Sequence, residues 1–132
     1  LNTYFQVTGP DKRWANLRDR HELYCAGHLI EGAVAYYQAT GKGTLLEVAE
    51  RFVGYIDSVF GAADGKTPGY PGHEEIALAL VKLWQATGKR RYLDLAHYFP
   101  NERGEEPNFF TAEAEARSDA GTPWRPTPRD WN

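Results

Sequence analysis

Methionine is absent from this chain, and cysteine occurs once, at Cys25. A primary translation product ordinarily begins with methionine, so Leu1 is not expected to be the natural start, and the chain reads as processed or truncated. One cysteine excludes an intrachain disulfide, which points to a reducing compartment and a cytoplasmic location. No apolar run is long enough to span a bilayer. The first residues carry no basic n-region, so no secretory signal stands at Leu1. An excess of one charge is missing too: 15 Lys and Arg against 18 Asp and Glu give a net charge of -3, with the signs interspersed. Affinity for nucleic acid comes mainly from neutralising phosphates, so the lack of a basic stripe argues against a nucleic-acid partner. A membrane-surface role lacks its basic face for the same reason. What remains is an ordinary globular composition, 42% apolar and 25% charged over 132 residues, enough for one modest core.

An internal repeat organises the chain. Gln38-Ala39-Thr40-Gly41-Lys42 returns 47 residues later as Gln85-Ala86-Thr87-Gly88-Lys89. The offset also relates Leu46, Ala49 and Phe52 to Leu93, Ala96 and Phe99, and Val34 and Tyr37 to Val81 and Trp84. Periods of this size mark stacked supersecondary units. Each unit reads as a helix, a tight turn and a second helix. The first helix is expected from Asp19 or Arg20 to Thr40, with Asp19 as N-cap and Glu22 completing a capping box. Gly41 supplies the positive φ that ends it. Thr44 and Glu47 form a second capping pair, and the helix after them carries Leu45, Leu46, Val48, Ala49, Phe52, Val53, Ile56, Val59 and Phe60 on one wide apolar face.

The Gly- and Pro-rich stretch from Gly61 to Gly72 reads as a loop. Unit two opens at His73, with Glu74 and Glu75 in a first turn that complements the helix dipole. Its helix is apolar nearly all round, hence buried between others, and Gly88 ends it. A fourth helix is expected from Arg91 to Phe99, interrupted by Pro100, and a short one from Thr111 to Arg117. The opening Leu1 to Val7 is rich in strand formers and fits an extended arm equally well. Ser118 to Asn132 holds Pro123, Pro126 and Pro128 with Trp124 and Trp131, shows no period, and reads as irregular.

Histidines fall in matching places. His21 and His73 each stand at the start of the first helix of a unit, and in a ring of hairpins those two starts point to the same end. Helix N-termini offer free N–H groups and a positive end, where neutral imidazole can donate to and accept from sugar hydroxyls. Capping or surface histidines are the plainer reading. His21, Cys25 and His28 share one helix face and could together approach a metal, but one helix rarely supplies three good ligands and no fourth is evident, so no metal site is assigned. Cys25 reads as a buried cysteine rather than a nucleophile. No pair of carboxylates among Glu22, Glu31, Glu74 and Glu75 is fixed as a glycosidic acid/base and nucleophile, so no catalytic residue is assigned. Glu22, Glu74 and Glu75 are explained as first-turn charges, whereas Glu31, mid-helix among apolar residues, is harder to dismiss. Tyr36 and Tyr37 are expected in the core, and Tyr70, in the loop beside His73, is placed against ligand.

The stretches Leu1 to Phe5, His21 to Glu31, Tyr37 to Lys42 and Gly69 to Ile76 resemble the beta-L-arabinofuranosidase family of glycoside hydrolases, family 127, and the likeness runs to about Arg117. It implies an all-α fold: tandem helical hairpins forming part of an (α/α)6 toroid. Residues 1–18 are then an arm or loop, 19–117 the hairpins, and 118–132 an unmatched tail. It implies that the equivalents of His21 and His73, and of His28, line a furanoside pocket. A cysteine nucleophile, a zinc cluster and a glutamate acid/base are implied for the complete family enzyme, in segments with no counterpart here. The expectation is a carbohydrate-binding part of a retaining glycosidase, inactive alone, with no cofactor of its own, and with a second copy or the remainder of the barrel covering its apolar faces. Two alternatives compete with it. Tandem hairpins also build peptide-binding or scaffold solenoids, but two repeats fall short of the three these need. A stand-alone metal enzyme built on His21, Cys25 and His28 would need stoichiometric zinc.

Overall fold

The computed structural model describes residues 2–117, so the tail beyond lies outside the described residues. The described residues are all-α: α1 (Thr3–Thr8), α2 (Glu22–Thr40), α3 (Thr44–Val59), α4 (Glu75–Thr87), α5 (Arg90–Arg103) and α6 (Phe109–Arg117), with a 3-10 turn at Pro10–Lys12. Among the described residues pairing of the β kind is limited to one isolated bridge, Phe60 with Thr67, which pins the loop after α3.

The repeat is visible in the turns. Gly41 (φ 70°, ψ 3°) and Gly88 (φ 72°, ψ 2°) end α2 and α4 in the left-handed region, donating to Tyr37 O and Trp84 O. Thr40 and Thr87 hydroxyls donate to Tyr36 O and Leu83 O, and each then accepts from the backbone N–H of Lys42 or Lys89. A non-glycine residue at either turn would meet the left-handed steric penalty.

The hairpins pack in two layers. α2 lies along α4, while α3 and α5 flank them as the second arm of each hairpin. The outer pair is joined through Glu50 of α3, which accepts from Tyr92 Oη at 2.7 Å and pairs with Lys89, and through Phe60 against Phe99 at 6.1 Å. Ile30, Ala33, Ile56, Ile76, Ala79, Leu80, Leu83 and Phe99 are fully shielded at the centre. Each large apolar side chain so buried contributes about 1.5–3 kcal/mol.

Several expectations at helix ends need correction. Thr3–Thr8 is helical rather than extended: Phe5 is buried, Thr8 Oγ1 donates to Tyr4 O, and Gly9 N–H caps onto Phe5 O before Pro10 breaks the run. Packing of Phe5 overrides the strand propensity of its neighbours. Asp19 does not cap α2, because His21 occupies that position, and Gly43 rather than Thr44 precedes α3. Pro100 sits inside α5 without ending it. Phe99 is buried beside it, and Arg103, a turn further on, is tied to Glu74 and to Pro71 O, so tertiary contacts offset the backbone bond that proline removes. Tyr36 and Tyr37 are exposed, on the part of α2 that α4 does not cover.

Candidate functional site: an imidazole cluster at the leading ends of α2 and α4

The two segments leading into α2 and α4 touch through their main chains. A Cβ on Gly72 would fall 2.4 Å from Arg18 O, so only glycine fits, and Gly72 N–H donates to Leu17 O at 3.4 Å. Behind them, Arg103 binds Glu74 at 2.5 Å and Pro71 O at 3.2 Å, and Leu17 N–H donates to Glu113 of α6 at 2.8 Å.

His21 precedes α2 in the left-handed region, at φ 57° and ψ 21°. A side-chain-bearing residue held there stores about 1–3 kcal/mol of strain, which the surroundings must impose. Glu22 supplies part of that constraint. Its buried carboxylate accepts from Trp14 N–H at 3.0 Å and from Asn2 Nδ2 at 2.8 Å, buckling the arm onto the first turn of α2. Burial raises the Glu22 pKa, outweighing those hydrogen bonds and the nearby Arg13 and Arg20. Glu22 is therefore a buckle rather than the first-turn dipole charge expected of it.

This backbone brings the predicted histidines together. The His21 and His73 rings stack with centroids 5.3 Å apart at 23°. Tyr24, one turn along α2, lies 5.8 Å from His21, 5.2 Å from His73 and 4.5 Å from His28, nearly perpendicular to the last. Three exposed imidazoles thus surround a half-buried phenol. Tyr24 was not singled out by sequence reasoning, though its spacing carries the signal: three residues after His21 and four before His28, it shares their helix face. Tyr70 does not join the cluster. It is 1% exposed, packed on Phe109 and Phe110 at 5.6 and 4.6 Å under the Arg103 guanidinium, and its hydroxyl approaches the Phe109 and Phe110 backbone N–H groups without a well-aligned hydrogen bond. Helix α6 covers the loop whose Gly and Pro content pointed to exposure.

At the inner edge of the cluster, His28 Nδ1 lies 3.2 Å from Glu75 Oε1 and 3.8 Å from Glu31 Oε2, and Lys82 pairs with Glu31. Gly27 permits this meeting, since a Cβ there would sit 2.8 Å from Glu75 Cγ. The contact between the carboxyl groups holds Glu31 below the usual carboxylate range, helped by Lys82, and pushes Glu75 above it. Glu75 is thus a member of a side-chain network between α2 and α4, and Glu31, which sequence reasoning could not dismiss, is its partner.

Among the described residues only His28, Glu31 and Glu75 bring three metal-type donors within 4.8 Å of one another. This set does not fit the zinc that the family resemblance implies. It holds no thiolate, and the Lys82 ammonium already compensates Glu31. Cys25 is exposed, contrary to expectation, and lines an adjoining cleft of about 460 Å³ with Phe5, Leu29, Phe52 and His21, the last shared with the cluster. No described helix is long and apolar enough to cross a membrane.

Comparison with known proteins agrees with this architecture. The sequence model of the beta-L-arabinofuranosidase GH127 catalytic domain matches residues 1–124, reaching seven residues further than the likeness read from motifs. A non-reducing end beta-L-arabinofuranosidase of Bifidobacterium longum subsp. longum is 44% identical over 104 residues, 79% of this chain and 16% of that protein. The crystal structure of a GH127 beta-L-arabinofuranosidase from Geobacillus stearothermophilus T6 superposes with a TM-score of 0.86 at 56% identity, over 89% of this chain and 18% of the other. A second solved GH127 beta-arabinofuranosidase gives 0.67 at 43% identity, over 70% of this chain and 15% of the other. The chain thus spans about a sixth of the length of these relatives, and it belongs to the GH127 beta-L-arabinofuranosidase catalytic domain family.

Proposed function

We propose that this chain carries part of a furanoside-binding face of a beta-L-arabinofuranosidase, in which His21, His73 and His28 meet the hydroxyls of the sugar. The observation that carries the reading is the stacked pair His21–His73 with Tyr24 and His28 around it. Neutral imidazole both donates and accepts, matching a hydroxyl, and the Tyr24 ring offers an apolar surface for C–H groups. The names of the relatives support the sugar class, since they are described as acting on beta-L-arabinofuranosides.

Cleavage requires an acid/base and a nucleophile flanking the bond. Among the described residues no carboxylate pair flanks the imidazole face in that way: Glu22 is turned into the arm, Glu74 is held by Arg103, and Glu31 and Glu75 face each other. The chain alone therefore binds without hydrolysing, its partners being the sugar and either a second copy or the rest of a barrel. The single cysteine supports a reducing, cytoplasmic setting.

The test is a titration with methyl beta-L-arabinofuranoside, following the imidazole resonances of the four histidines. Shifts are expected at His21, His73 and His28 and not at His97, and His73→Ala should abolish them. Equal or absent shifts at all four overturn the reading. Release of arabinose by the isolated chain would overturn its non-catalytic part.

A further inference from the structure

His28 has a different environment from the other two imidazoles. Its Nδ1 edge meets carboxylates from two helices, Glu75 of α4 at 3.2 Å and Glu31 of α2 at 3.8 Å. Glu75 Oε1 is shielded from solvent and has no hydrogen bond, since His28 Nδ1 stands within reach at 3.2 Å but is not aligned on it. A buried carboxylate oxygen without a donor is costly, and such atoms are nearly always satisfied. Lys82 is engaged by Glu31, and among the described residues the cation-capable group against Glu75 is His28.

We propose that Glu75 is a positioning residue for His28. A small turn of the imidazole about its present position lets Oε1, 3.2 Å away, accept the Nδ1–H and hold the neutral ring in that tautomer. The other nitrogen, Nε2, is left as a bare acceptor on the face shared with Tyr24 and His73. Carboxylates commonly set the tautomer and orientation of functional histidines in this way. An Nε2 acceptor selects an O–H donor on the ligand, so His28 recognises a free sugar hydroxyl rather than an ether oxygen. This last step rests on the sugar-binding reading above, whereas the tautomer does not.

Long-range 1H–15N correlation spectra of the labelled full chain, at a pH of about 8 where histidines are ordinarily neutral, read the tautomer directly. With four histidines in the chain, the His28 signals are identified by their loss in His28→Gln. Wild type is expected to show protonated Nδ1 and unprotonated Nε2 at His28. Glu75→Leu is expected to reverse the ratio to an Nε2–H majority, whereas Glu31→Gln leaves it unchanged. An Nε2–H majority in wild type overturns the proposal even if the variants fail to fold. So does a Glu75→Leu variant with an unaltered backbone spectrum and an unaltered His28 tautomer. Methyl beta-L-arabinofuranoside should then move Nε2. If it does not while the tautomer is as stated, the sugar reading fails and the positioning of His28 by Glu75 stands.

Discussion

Tyr70 and Glu22 are buried polar side chains, 1% and 6% exposed, whose replacement has a measurable consequence. Tyr70 stands in a Gly- and Pro-rich loop beside His73, a setting that predicts exposure to ligand. Its burial follows from Phe109 and Phe110 of α6, forty residues away in sequence, a contact no local pattern encodes. Its hydroxyl is poorly aligned on the Phe109 and Phe110 backbone N–H groups, so removing it should cost little. Tyr70→Phe is expected to shift stability, read from the melting temperature, by no more than about 1 kcal/mol, with sugar binding intact. Loss of binding in that variant would return Tyr70 to the site. Glu22 is a second instance. Burial raises its folded pKa, so the folded state holds the proton more firmly than the unfolded chain. Its contribution to stability is present below the ordinary carboxylate value and lost as pH rises through the folded value. The urea midpoint of wild type minus that of Glu22→Gln is expected to fall as pH rises above the ordinary carboxylate value of about 4.3. A difference that grows over that rise would show the hydrogen bonds from Trp14 and Asn2 outweighing burial.

Helices were legible where local rules decide them. The glycine turns at Gly41 and Gly88, and the apolar faces of α3 and α4, followed from spacing alone. The start of α2 was not, because the arm claims its capping group: Glu22 binds Trp14 and Asn2 instead of completing a box with Asp19. The approach of α2 to α4 was hidden for a related reason, since Gly27 reads as an ordinary helical glycine until Glu75 is seen against it. The three helical glycines can be told apart by experiment. Gly27→Ala is expected to cost about 1–3 kcal/mol through overpacking and to disturb the His28 resonances. Gly32→Ala and Gly54→Ala, whose Cβ atoms would meet nothing within 4 Å, are expected to stabilise by about 0.5–1 kcal/mol. Chemical denaturation of the three variants checks this, and a cost at all three would refute the packing distinction.

For the whole molecule, the 47-residue offset was the most informative feature, because it predicted two equivalent hairpins and hence two equivalent helix starts. Which faces remain open was less legible. Leu78, 51% exposed, lies on a helix expected to be buried all round, and Tyr4, Val7, Tyr36, Tyr37, Leu45 and Tyr55 are exposed as well. α4 is covered by α2 and α5 but not on its remaining side. Apolar side chains left open in this number favour association. Light scattering is expected to give a mass above 14.9 kDa that rises with concentration, and Leu78→Lys should lower it. A concentration-independent monomer would count against association.

The contact of Gly72 with the Arg18 carbonyl reaches beyond local geometry. Because no side chain intervenes, the gap between the two stacked imidazoles inherits the stiffness of the polypeptide itself. For the sugar binding proposed above, the rings would already stand at a fixed separation, with the ordering entropy spent during folding and not at the encounter.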